Sequence, residues 1–199
     1  MLREEAEKIL SWGSDQNPGP WTEHCKVVAR AAETIANKCG LDKERAYVSG
    51  LMHDIGYYSY RDGKSEKDHI FAGYELMTQK DYEDIARICL THSYTYQDIT
   101  SGAYIKCNEE ETVFMTSFLS EIIYDDYDKL IQLCDCLGTS QNVVIMEKRT
   151  IDVIKRHGFT EFTIKKWDSQ FALKDYFDKL CGMNIYNLFY DEINKNIFG

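Results

Sequence analysis

Leu51-Met52-His53-Asp54-Ile55-Gly56 sets an imidazole and a carboxylate side by side where an apolar helical stretch runs out into a glycine. Adjacent residues on a helix project about 100° apart, so the two side chains can straddle one cation or reach two neighbouring ones. Neutral imidazole with carboxylate suits divalent ions such as Fe, Mn, Zn, Ni and Co. A His-Asp dipeptide alone is common by chance. Its meaning depends on where the other histidines fall.

On its N-terminal side, Asp42 reads as the N-cap of a helix that carries Ala46, Tyr47, Gly50 and Leu51 to the pair. Before it, a helix starting near Trp21-Thr22 bears the stripe His24, Val27, Val28, Ala31, Ile35 and stops at Cys39-Gly40. A first short helix spans 2–12, with Leu2, Ala6, Ile9 and Leu10 on one side, and Gly13 through Pro20 breaks it.

On the C-terminal side, a loop from Tyr57 to Lys64 leads to Ser65 and Asp68, which resemble a capping arrangement for a helix headed by His69 with Ala72, Gly73 and Leu76. Residues 81–93 repeat the pattern, with Ile85, Ile88, Cys89 and His92 on one face. Residues 94–112 read as an irregular polar and aromatic excursion, a lid. A long helical signal runs from Val113 to Leu137, with a break near 124–128, and contains Leu133-Cys134-Asp135-Cys136. Helices follow at about 141–157, 168–181 and 184–195, the first two linked through Gly158 to Lys166. Nothing alternates with a period of two, so the expected class is all-α.

The bulk properties set limits. At 199 residues, 44% hydrophobic and 28% charged, the chain fits a single globular domain. A net charge of −10 argues against nonspecific binding to nucleic acid or anionic membrane. The charged start and the lack of an apolar span point to a cytoplasmic protein. Seven cysteines, an odd number without a CxxC pair, argue against a disulfide framework. Cys134 and Cys136 flank Asp135, but zinc thiolates are usually spaced more widely, and core thiols are the better reading.

Four of the five histidines, His24, His53, His69 and His92, fall near the ends of apolar helical stripes. Taken singly, each reads best as a core histidine with one hydrogen-bonded nitrogen. Asp135, in an apolar run, is expensive to bury unless it meets a cation, and by itself a distant arginine would serve. Together the six residues His24, His53, Asp54, His69, His92 and Asp135 point to a metal site.

The motifs Glu23-His24-Cys25-Lys26-Val27-Val28-Ala29, Gly50-Leu51-Met52-His53-Asp54-Ile55-Gly56 and Leu133-Cys134-Asp135 resemble, in order and type, those of the HD-domain superfamily of metal-dependent phosphohydrolases. The resemblance covers about residues 20–140 and implies an HD-domain helical bundle. Residues 141–199 would be a helical extension that caps the core or forms a homodimer surface.

The resemblance implies that His24, His53, Asp54 and Asp135 hold one divalent ion. His69 and His92 match the subset of the family in which a second ion shares Asp54 as a bridge. The ions, one or two, would be drawn from Fe, Mn, Ni, Co, Zn and Mg. The implied reaction is hydrolysis of a phosphoester, in a nucleotide or other small phosphorylated metabolite, by a metal-activated hydroxide. Asp54 would bridge or orient the water, and an imidazole without a metal, His69 or His92, would assist proton transfer.

The chain departs from the family where many members follow the His-Asp pair with a phosphate-binding lysine; here the residue is Tyr57. Arg61 and Lys64 are the substitutes the loop offers, and Arg149 is a weaker one, better read as solvent-exposed. Lys26 points away from His24. Tyr57, Tyr58 and Tyr60, with Tyr94, Tyr96 and Tyr104, could stack on a base or close a pocket. No GxxxxGK, GxGxxG or nucleophile elbow is present. One rival, a di-iron HD-type oxygenase, shares the ligand order; a second, of a different class, is a noncatalytic metal-stabilised sensor or interaction module.

Overall fold

The structure, a computed structural model, describes residues 1–61, 64–65, 67–102, 105 and 107–198. Its helices are α1 (Arg3–Gln16), α2 (Trp21–Cys39), α3 (Lys43–Met52), α4 (His69–Gln79), α5 (Glu83–Thr91), α6 (Glu109–Glu121), α7 (Asp126–Leu137), α8 (Met146–His157), α9 (Thr163–Cys181) and α10 (Tyr190–Phe198). Short 3-10 turns lie at Ile55–Ser59, Ile99–Gly102 and Ile185–Phe189. Among the described residues there is no strand, only isolated bridges at Arg61–Lys64 and Gly138–Val143. The all-α expectation holds. Among the described residues no helix is long and apolar enough to cross a membrane.

Local chemistry sets most helix ends. Gly40, at φ 81°, closes α2 by donating its N–H to Ala36 O. Asp42 caps α3, accepting from Glu44 and Arg45 N–H at 2.9 and 3.1 Å. Asp68 caps α4 through Ile70 N–H, whereas Ser65 hydrogen-bonds Ser59 and takes no part in that cap.

Several boundaries differ from the sequence reading, each for a packing or capping reason. α1 does not break at Gly13 but continues to Gln16. Gly13 is buried so tightly that an added Cβ would stand 3.0 Å from Ile55 Cδ1, and this contact outweighs a propensity deficit of about 1 kcal/mol. The break expected near 124–128 falls between Glu121 and Asp126, where Asp125 and Asp128 form a capping box. α6 starts at Glu109 rather than Val113, opened by the Asn108–Glu111 capping box. α8 starts at Met146 rather than 141, because Thr139 to Val143 fold back on the end of α7. α9 starts at Thr163 rather than 168, and its first turn takes up the end of the supposed linker.

Helix α2 is central to the packing. One side, with Val28, Ala31 and Ile35, meets Leu130, Leu133 and Leu137 of α7 together with Leu173, Phe177, Ile185 and Phe189 from the C-terminal region. The other, with Trp21, Cys25 and Ala29, meets Leu10, Leu51, Met52 and Ile55. Phe177 is wholly buried, and a buried phenyl ring is worth about 1.5–3 kcal/mol, so the C-terminal helices share the main core.

Two glycines let backbones close on the His-Asp pair. A Cβ on Gly50 would stand 2.8 Å from Ala29 Cα, and one on Gly56 would stand 1.8 Å from His69 O. Any side chain at Gly56 would push α4, and with it His69, away. Helices α5 and α7 are joined by a buried polar knot: Asp128 takes Arg87 Nε at 3.1 and 3.2 Å, Thr91 Oγ1 at 2.8 Å and Asp125 N–H at 2.9 Å.

Candidate metal centre

The packing of these helices brings all six predicted ligands to one place. His24 comes from the first turn of α2, His53 and Asp54 from just after α3, His69 from the start of α4, His92 from the end of α5 and Asp135 from α7. Two groups result, His24–His53–Asp135 and Asp54–His69–His92, with the donor atoms of each lying within 4.8 Å of one another.

Asp54 divides its two oxygens between these groups. Oδ2 is 3.5 Å from His53 Nε2 and 3.8 Å from His24 Nε2, whereas Oδ1 is 3.2 Å from His69 Nε2 and 3.4 Å from His92 Nε2. Asp135 Oδ1 lies 3.0 Å from His24 Nε2 and 4.0 Å from His53 Nε2. Two ligands each about 2.1 Å from a shared ion stand roughly 3–3.5 Å apart, so these separations suit a cation among them.

Tautomers sharpen the fit. His53 Nδ1 is 2.7 Å from Gly50 O, and a carbonyl can only accept, so Nδ1 carries the hydrogen. His53 Nε2 then presents a lone pair; it is buried, has no hydrogen-bond partner, and faces two carboxylate oxygens. His92 is held the same way, with Nδ1 3.0 Å from Cys89 O and Nε2 turned to Asp54. At His53 an acceptor faces acceptors in a buried site, which calls for a cation. The donor set therefore fits a divalent metal, with His24, His53 and Asp135 on one side, His69 and His92 on the other, and Asp54 between.

The electrostatics set His53 apart from His69. Burial pulls His53 down to about 4, leaving it neutral at pH 7. Burial works against the Asp54 carboxylate, but His53, His69 and His92 outweigh it and hold Asp54 well below the ordinary range. Burial also opposes charge on His69, yet hydrogen bonds to Asp54 and Asp68 raise it to about 10. Asp135 is shifted down in turn, burial being outweighed by His24. Unlike the buried histidines, Asp135 keeps 26% of its side chain exposed, a departure from the buried carboxylate its apolar neighbours suggest.

The sequence model of the HD domain matches residues 21–138, more than half of the chain, and the chain belongs to the HD-domain family. That family lies in a superfamily of metal-dependent phosphohydrolases. No solved structure matches the chain significantly.

One contributor was legible only as a cap. Asp68 Oδ1 lies 2.9 Å from His69 Nδ1, so the residue that opens α4 also orients a ligand from behind. The signal was an aspartate directly preceding a predicted ligand.

Other singled-out residues lie elsewhere. Arg61 is exposed, and its Nη1 donates to Tyr58 O and Tyr60 O at 2.8 Å each; Lys64 is exposed too. Lys26 points to solvent and pairs with Glu23 at 2.6 Å. Tyr57 lies flat on His69, ring centroids 4.4 Å apart at 8°, covering a ligand. Tyr58 packs on Trp12, 5.0 Å between centroids. Tyr94 is wholly buried among Ile70, Phe71, Leu90 and Met115, which removes it as a base-stacking residue. Tyr104 lies outside the described residues. The expected lid is packed where it is described, Ser101 being buried and donating to Tyr96 O and Asp98 O. Cys134 and Cys136 belong to neither ligand group, and burial pushes the Cys136 thiol up to about 12.

Beside Asp135 and His92 a cavity of about 90 Å³ opens, lined by Ser93, Thr95, Arg149, Lys166 and Gln170 among others. Arg149 is half-buried with its Nε shielded from solvent, contrary to the exposed position expected for it. Lys166 escaped notice because it fell in the supposed linker. In α9 it forms a face with Thr163, Trp167 and Gln170 at helical spacing.

Proposed function

We propose that the protein is a metal-dependent phosphohydrolase using two divalent ions to cleave a phosphoester in a nucleotide or other small phosphorylated metabolite. The observation that carries this reading is Asp54, whose two oxygens address different ligand groups. A carboxylate so placed suits a bridge between adjacent ions.

When bound, divalent ions supply Lewis-acid activation of water and neutralise charge developing on the phosphoryl group. The chain's own residues do the rest. Gly50 O and Cys89 O fix the tautomers of His53 and His92, so both Nε2 lone pairs face inward without reorganisation. Asp68 holds the His69 proton at Nδ1 and keeps Nε2 turned to Asp54. Around the buried His53 and His92 the low-dielectric surroundings strengthen charge interactions.

The test pairs elemental analysis of gently purified protein with phosphate release from a panel of nucleotides and sugar phosphates. The expected result is close to two ions per chain and release from at least one phosphoester. Oxygen uptake by an iron-loaded protein without phosphate release would move the chain to the oxygenase reading. Metal without turnover of any kind would leave the sensor.

A further inference from the structure

We propose that Arg149 and Lys166, supplied by α8 and α9 beyond the matched family domain, form an anion site that seats the terminal phosphoryl group of a phosphate monoester against the metal centre. They take the role that the missing lysine at Tyr57 would have had.

Three observations carry it. First, the cavity they line also contains Asp135 and His92, one from each ligand group, so a guest there touches both halves of the centre. Second, the Arg149 side chain makes no hydrogen bond or ion pair among the described residues, and its Nε is buried and unpartnered. Leaving such a donor unpaired costs about 1–3 kcal/mol, more for a charged group. Gln170 Oε1, on the same cavity, is also buried without a partner.

Third, the neighbourhood carries surplus positive charge in a chain whose net charge is −10. Arg156 is shifted down by burial and then by Arg149, and His157 by burial and then by Arg156, Arg149 and Lys166. The acids that reach this group are Asp152 and Asp135, and Asp135 is engaged with His24.

The cavity volume selects the ligand. Drug-sized ligands need roughly 300–1,000 Å³, whereas about 90 Å³ admits a compact group such as a tetrahedral oxyanion. The phosphoryl end enters and the organic part stays at the rim. A planar guanidinium suits that oxyanion better than a point charge does.

The site rests on the phosphohydrolase reading only for the choice of phosphate as the anion, and the test separates the two. Inorganic phosphate is titrated calorimetrically into metal-loaded wild type, Arg149→Gln, Arg149→Lys and Arg61→Gln, each checked for metal content and circular dichroism. Arg149→Gln is expected to weaken phosphate binding roughly tenfold or more, with metal content intact, and Arg149→Lys to recover part of the loss. KM for p-nitrophenyl phosphate should rise in parallel if that ester is turned over. Undiminished binding in Arg149→Gln, loss in Arg61→Gln alone, or no phosphate binding by wild type at millimolar concentration overturns the site. Arg149-dependent binding without hydrolysis of any ester would sink the hydrolase reading and leave the anion site standing.

Discussion

Helices α5 and α7 each contribute to two buried charged constellations, and the two differ in how they are satisfied. In the first, Asp128 is met by Arg87, Thr91 and the Asp125 N–H, so its oxygens are fully engaged from within. In the second, a few residues along the same helices, His92 and Asp135 join His24, His53, Asp54 and His69 in a cluster where lone pairs face carboxylates. Each holds a buried carboxylate, Asp128 in the first and Asp54 in the second. A polar group completed by its own chain holds the fold, and one left incomplete, on rigid elements, awaits something from outside.

Substitutions can break this contrast or sharpen it. The largest effect is expected for Asp54→Asn, which removes the charge both ligand groups share. Metal affinity should fall by more than the roughly 10–100-fold usual for outer partners, while the metal-free protein, losing the ion pair of Asp54 with His69, should keep its fold. Elemental analysis and chelator-treated urea denaturation would check both halves; a collapse of the metal-free fold would erase the distinction. Next, Arg87→Ala strands Asp128 and should destabilise the protein by about 3 kcal/mol, seen as a lower denaturation midpoint, while the folded fraction keeps its metal. The smallest effect is expected for Asp68→Asn, which preserves a cap but weakens the hold on His69. With two ions bound as proposed, it should lower affinity for one by roughly 10–100-fold and leave the other, so a metal titration would show two separated steps. Equal loss of both ions would argue against independent halves.

Much of this was visible in the chain. The stripe behind His24, the cap at Asp42 and the glycine stop at Gly40 are local features, and local physics fixes them. The four histidines were legible because each falls near the end of an apolar stripe, Asp54 because it adjoins His53, and Asp135 because it interrupts an apolar run. What escaped depended on distant partners. Gly13 is helical because Ile55 and Trp21 press on it, which no propensity reports. Asp68 showed its capping role but not its second contact. Arg149 looked like a surface charge, because only the docking of α8 and α9 beside α7 gives it a cavity to face. Tyr94 lies in a polar stretch, yet its ring is drawn into the core by α4, α5 and α6.

The contact between His24 and Asp135 spans 111 positions of the chain. During synthesis the first of these residues leaves the ribosome long before the second, and the N-terminal helices have time to gather without it. Until Asp135 arrives, His24 and His53 lack the carboxylate of their group, and an ion captured early would be held by fewer donors than in the finished protein. Any ion the centre takes would therefore be fully enclosed only after α7 has docked.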